Sequence, residues 1–277
     1  MDVREPAVAG RFYTGDARTL AHEVQGWLAA APGGTEQPAG IIVPHAGHIY
    51  SGPVAAFAYR RVHRTQRVVL AGPAHFVAVA GIAAPAASVW RTPLGDVAID
   101  QTTIRDLPVT VDDYPHAPEH SLEVQLPFLQ EQLEPGWQLL PLLVGRADPL
   151  DVADVLEPFL ADPDSLVVLS TDLSHYLRYA QACERDAATA DRIVARDWQG
   201  IADEDACGAY PLRGLLVAAE RLDLPVELLD LRNSGDTAGP HDRVVGYGAF
   251  TVPVGVATML ITLGAVVAAK DMIRRRR

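Results

Sequence analysis

Ile41-Ile42-Val43-Pro44-His45-Ala46-Gly47-His48 is a short run of branched apolar residues that stops at a histidine. The pattern recurs in Val68-Val69-Leu70-Ala71-Gly72-Pro73-Ala74-His75 and in Val167-Val168-Leu169-Ser170-Thr171-Asp172-Leu173-Ser174-His175. In all three the apolar residues are continuous instead of alternating. Strands buried on both faces, in a sheet covered by helices, read this way. A fourth run, Leu139-Leu140-Pro141-Leu142-Leu143-Val144, is similar, and its proline predicts an edge or a bulge. Ligands of open α/β sheets bind outside the carboxyl ends of the strands. Three histidines (His45, His75 and His175) and Asp172 fall at that edge. Gly47, Gly72 and Pro73 make sharp exits that would leave such side chains in a crevice.

Around these runs the pattern predicts helices over 17–30, 53–62, 121–133, 150–160, 180–197 and 212–222. Leu20, Val24, Trp27 and Leu28 mark the first by their helical spacing, with Asp16 as its N-cap. The Pro- and Gly-rich stretch 31–40 joins that helix to the first strand. Strands over 226–231 and 244–252 complete the core. The expected fold is a single α/β domain over residues 1–252, a central mixed sheet flanked by helices.

The 277 residues are 49% hydrophobic and 21% charged, a balance that supports a buried core and excludes general disorder. A net charge of −12 argues against nucleic acid as a partner. That charge is uneven: residues 270–277 carry +4, and residues 1–269 hold 18 basic against 34 acidic side chains, −16. Two cysteines, Cys183 and Cys207, are too few for a disulfide framework. With no signal-peptide pattern at the N-terminus, the expected compartment is the reducing cytoplasm. No P-loop, serine-hydrolase elbow or paired CxxC occurs.

The chemistry expected at the strand ends is metal binding, because imidazoles converging from separate strands suit Zn, Fe or Cu. Cys207 precedes the helix predicted from Leu212, where the helix dipole favours a thiolate. It reads equally as a soft ligand, a nucleophile or a small buried residue. Glu119, His120 and Glu123 cluster at the start of the helix that Ser121 can cap. His120 or Glu123 could reach the same crevice, or the acidic pair could only serve the helix end. In the enzyme reading, His175, oriented by Asp172, is the general base and His120 a second proton donor. Alternatives are a non-catalytic metal- or partner-binding protein, and a thiol enzyme using Cys207 with His175 as base.

With these residues placed, the chain resembles the Memo family, also called AmmeMemoRadiSam system protein B, from about Arg4 to Val252. The resemblance rests on Arg4-Glu5-Pro6-Ala7-Val8-Ala9-Gly10-Arg11-Phe12-Tyr13 and Pro44-His45-Ala46-Gly47-His48-Ile49-Tyr50-Ser51-Gly52. It continues through Gly72-Pro73-Ala74-His75, Glu119-His120-Ser121-Leu122-Glu123, Ser170-Thr171-Asp172-Leu173-Ser174-His175 and Cys207-Gly208, in the family's order. It implies a fold similar to the class III extradiol ring-cleaving dioxygenases, which use non-haem Fe(II). It also implies metal ligands at His45, His75 and Cys207, with Asp172 and His175 beside them, and iron or copper as the metal, with zinc a further choice. The resemblance further implies radical-SAM and AMMECR-type partners in bacteria, and a peptide ligand by analogy with the phosphotyrosine-peptide role attributed to the animal member. Two departures stand out. A cysteine replaces the carboxylate of the dioxygenase site, which softens it. His48 stands where the family usually has an aromatic residue, to add an imidazole or only a hydrogen bond.

Residues 253–277 read as an apolar extension with a basic end. From Phe250 to Ala269 there are twenty uncharged residues, near the length of a membrane span. Removing the last strand and Pro253 leaves 16, about 24 Å of helix against a ~30 Å hydrocarbon core. A terminal helix is therefore expected ahead of a membrane anchor.

Overall fold

The protein is described here by a computed structural model covering residues 2–254. The strands are β1 (Val3–Arg4), β2 (Pro38–Val43), β3 (Arg67–Pro73), β4 (Ile82–Ala84), β5 (Val89–Thr92), β6 (Gly95–Ala98), β7 (Thr110–Val111), β8 (Gln138–Val144), β9 (Ser165–Ser170), β10 (His175–Leu177), β11 (Glu227–Asn233) and β12 (Val244–Pro253). The helices are α1 (Ala17–Ala30), α2 (His48–Tyr59), α3 (Gln101–Asp106), α4 (Leu126–Gln132), α5 (Pro149–Leu160), α6 (Tyr179–Val194), α7 (Ala209–Arg221) and α8 (Ser234–Thr237).

The expected single α/β domain with a mixed sheet is what forms. Its centre is β2, β9, β3 and β8, side by side and parallel. Antiparallel β12 lies beyond β2, and β10 and β11 both pair with β12. On the other flank β4 runs antiparallel to β8 and is followed by β7. The order β2–β9–β3 makes the three histidine-ended strands immediate neighbours pointing the same way, so their carboxyl ends open at one edge. Every residue of β2 and β9 is buried, as continuous apolar runs require. Helices α5 and α7 pack tightly because Gly214 carries no side chain: a Cβ there would lie 2.3 Å from Val152 Cγ1.

Pro141 departs from expectation, since β8 is an interior strand. It pairs with β3 along its whole length. On its other side, β8 meets Ile99 at Leu139, and β4 at Leu143 and Val144. Pro141 falls in the gap between those contacts, so its missing N–H breaks no ladder bond on that side. Helix α2 begins at His48, five residues before the expected start, and keeps Pro53 inside it. The predicted 121–133 helix resolves into a 3-10 turn over Glu123–Gln125 and then α4, and Ser121 caps neither. The short strands between 82 and 111 and the separate β1–β5–β6 sheet were not expected, being too brief to carry a periodic signal.

The N-terminal segment is tied to the core by Glu123, which is fully buried. Its carboxylate accepts from Arg4 Nη1 (2.7 Å), Tyr13 Oη (2.7 Å), Ala7 N (2.8 Å) and Val8 N (3.0 Å). Arg4 donates onward to the carbonyls of His116 and Glu119 and lies 4.4 Å over the Trp90 ring. Glu123 is thus a structural anchor and does not reach the crevice. No helix among the described residues is long and apolar enough to cross a membrane. The extension from 255 onward lies outside the described residues, and with it the choice between terminal helix and anchor. Removing one partner of a buried ion pair leaves the other uncompensated, at about 3–5 kcal/mol. Glu123→Ala is therefore expected to lower stability by that amount in urea unfolding, whereas a change under 1 kcal/mol would refute the anchoring role.

Candidate metal centre

Because β2, β9 and β3 are adjacent and parallel, the residues just past their ends must meet. Asp172, two residues beyond β9, turns its carboxylate onto the exit of β2. It accepts from His45 N (2.7 Å) and Ala46 N (3.3 Å). Residues 119–125, all buried, close the edge from above β3. Three imidazoles converge there: His45, His75 and His120 each offer a ring nitrogen within 4.8 Å of the others. Their ring centroids are 4.6 to 5.4 Å apart.

Hydrogen bonding sets which nitrogens are free. Gln125 donates both amide hydrogens, to Pro44 O (2.9 Å) and Ser170 Oγ (2.8 Å), while its oxygen accepts from Tyr59 Oη. Ser170 spends its single hydroxyl proton on Ser121 O (2.6 Å). The contact of 2.9 Å between Ser170 Oγ and His45 Nδ1 must then be donated by the imidazole. His45 Nε2 therefore carries a lone pair. At His75 the Glu119 carboxylate lies 3.0 Å from Nδ1, which leaves Nε2 for a ligand, the carboxylate–histidine arrangement common at metal sites.

Glu119 is the hub of this arrangement. It also accepts from the backbone N–H groups of His75 (2.6 Å), His120 (2.9 Å) and Ser121 (2.9 Å), and lies 3.1 Å from His120 Nδ1. Burial alone would raise its pKa, but the hydrogen bonds from His120, His75 and Ser121 hold it well below the usual carboxylate range. His45 is held far below its ordinary value by burial, and then by the neighbouring His75 and His120. It is neutral at pH 7, the form that binds metal.

Cys207 stands just before α7, where its sulfur is 3.2 Å from His45 Nε2 and accepts from Asp172 N (3.3 Å). The expected thiolate does not form on its own. Burial, followed by the charge of Asp172, pushes the thiol up to about 12 and outweighs the helix dipole. That removes the basis for a free nucleophile, and the base beside Cys207 is His45, not His175.

His175 is exposed on β10 and has no hydrogen bond to Asp172, whose Oδ1 accepts the two amides of the β2 exit. The two interact through charge, with no hydrogen bond between them among the described residues. His120, expected as a proton donor, sits instead among the trio. His48 supplies only a hydrogen bond: its Nε2 donates to Val124 O (2.7 Å), and the ring packs against Tyr13, Trp27 and Phe128. Cys183 is exposed on α6. Sequence reasoning missed Ser170 and Gln125 and saw Glu119 only as a helix-end acid, because their roles depend on partners 44 to 125 residues away.

With this arrangement established, comparison with known proteins places the chain. The family model described as "Memo-like protein" matches residues 4–251. The chain belongs to the Memo family. A MEMO1 family protein of Methanosarcina mazei is 33% identical, over 91% of this chain and 100% of its own length. One from Aquifex aeolicus is 35% identical over 89% and 98%, and one from Methanopyrus kandleri 34% over 89% and 97%. The resemblance drawn from six motifs is therefore a family relationship along nearly the whole chain. The histidine trio of this Memo protein lies inside the matched residues.

Two buried histidines outside the trio give a pH test. His48 and His116 each use Nε2 toward a carbonyl, and each has a buried Nδ1 with no partner. Burial lowers their pKa values to about 4 and about 3. Below pH 6.5 the unfolded chain takes up these protons and the folded one does not, so stability falls as pH drops. From pH 7 to pH 5 the loss is about 2 kcal/mol for each. Urea midpoints are expected to fall over that interval and to fall less in His116→Gln; a flat profile in the wild type would contradict the assignment.

Proposed function

We propose that this Memo protein binds one transition-metal ion, Fe(II) or Cu with Zn as a further choice, through His45, His75 and Cys207, with His120 facing the same point. The observation that carries this is the hydrogen-bond network that leaves a lone pair on His45 Nε2 and occupies His75 Nδ1, with ring nitrogens of His45, His75 and His120 within 4.8 Å of one another. The 3.2 Å between His45 Nε2 and Cys207 Sγ suits two ligands of a single ion, given metal–nitrogen and metal–sulfur distances of about 2.0 and 2.3 Å. Metal binding would release the thiol proton, since the ligand is the thiolate. When bound, iron or copper supplies redox chemistry of the dioxygenase-like kind that the family resemblance implies. His175, exposed at the rim, then serves as the group that takes a proton from the ligand.

The mouth of the site favours an organic ligand with an apolar part. Phe76, 59% exposed, directly follows His75. Phe12 and Phe76 flank His120 at centroid distances of 4.5 and 5.7 Å. Exposed apolar side chains gathered around a polar site mark a binding surface. The same rim also suits a second reading, a non-catalytic metal protein that docks a peptide or a radical-SAM or AMMECR-type partner.

Elemental analysis of anaerobically purified protein tests the metal. About one equivalent of iron or copper is expected. His45→Ala and His75→Ala should lose it, and Cys207→Ser and His120→Ala should lower affinity tenfold or more. Wild-type metal content in both His45→Ala and Cys207→Ser would overturn the proposal.

A further inference from the structure

His175 lacks the carboxylate partner expected for it, so something else must hold it at the rim. The turn before it is fastened from two sides. Leu173 N donates to Gly246 O (2.8 Å), and Gly246 N donates back to Ser174 O (2.8 Å). Ser174 N, one residue before the imidazole, donates to Asp186 Oδ1 (3.0 Å) on α6. Asp186 is 2% exposed, an unusual depth for a carboxylate. Its place exists only because residue 246 is glycine: a Cβ there would lie 2.0 Å from Asp186 Oδ2 and 2.4 Å from its Cγ. After His175 the chain turns again, since Tyr176 has a left-handed φ of 57°. His175 is thus set between a pinned 173–174 segment and a left-handed residue.

We infer that Asp186 is a positioning residue for His175: its carboxylate, lodged against Gly246, grips the Ser174 amide and fixes where β10 presents the imidazole beside the histidine trio. The inference rests on reading His175 as the proton-handling group. Ion-pair chemistry alone does not account for the burial, because the Asp186 carboxylate makes no salt bridge among the described residues. The titratable groups that act on His175 are the carboxylates of Asp172 from the β9 exit and Asp186 from α6, with the neutral His45 imidazole at the β2 exit. The Tyr176 ring lies 5.9 Å from the imidazole.

The test is NMR titration of the His175 imidazole in the full chain, its signal assigned by loss in His175→Gln, with metal content measured in parallel. Asp186→Ala and Gly246→Ala are expected to change the limiting chemical shifts of His175 and to move its midpoint by about half a pH unit or more. Asp186→Asn, which keeps the shape and an acceptor for Ser174, should leave the limiting shifts near wild type but lower the midpoint, because the charge is gone. Metal content should hold in all three. A His175 signal unmoved in every folded variant, or equal disturbance of the His45 and His75 signals, would overturn the inference. Unmoved His175 would leave the metal reading intact, whereas metal-free wild-type protein would remove that reading without touching this result.

Discussion

A carboxylate taken out of water must be met by donors, and Glu119 meets that condition by drawing His75, His120 and Ser121 onto itself. The edge of the sheet is organised around that requirement. Because the carboxylate accepts both the amide and the ring of His75, the loop after β3 cannot swing away. Because it accepts two consecutive amides of its own segment, the chain turns sharply at His120 and lays residues 121–125 along the strand ends. Ser121 and Gln125 then complete the hydrogen bonding of Pro73, Pro44 and Ser170.

The same logic repeats at three carboxylates. Glu123 is surrounded by Arg4, Tyr13 and two amides, Asp172 by the amides of the β2 exit, and Asp186 by the amide before His175. Glu123 and Asp172 join segments more than a hundred residues apart, and Asp186 joins α6 to the turn before β10. Buried polar groups of this kind contribute little net stability when satisfied, but losing one partner costs several kcal/mol. That asymmetry makes the arrangement specific: other packings of these loops would strand a charge. The product is three imidazoles with ring nitrogens close together, His45 neutral among them, next to an undissociated thiol.

The runs 41–43, 68–70 and 167–169 were readable because a strand buried on both faces has to be continuously apolar. Six helices were likewise readable by period, with boundaries off by a few residues where Pro53 and Ser121 misled. The tiny strands between 82 and 111 left no trace, since two to four residues carry no period. At the site, His45, His75, His120, Asp172 and Cys207 were identified by their place at strand and helix ends; the structure brings the three histidines together, sets Cys207 beside His45 and turns Asp172 onto the β2 exit. The roles within that set were less legible. Whether Asp172 turns to the β2 exit depends on side-chain direction, and Glu123 reads as helix-end acid or crevice acid, with nothing local to mark it as an anchor.

From composition and pattern follow the α/β class with a mixed sheet and the residue types at its carboxyl edge, and from six ordered motifs the resemblance to the family. These depend on local periodicity and on short ordered motifs. Strand order, the ring partners of His45 and His75, the un-ionised state of Cys207 and the missing hydrogen bond between His175 and Asp172 come only with the tertiary structure. Each of them is decided by partners tens to more than a hundred residues apart, and no local pattern encodes which distant donor will reach a buried acceptor.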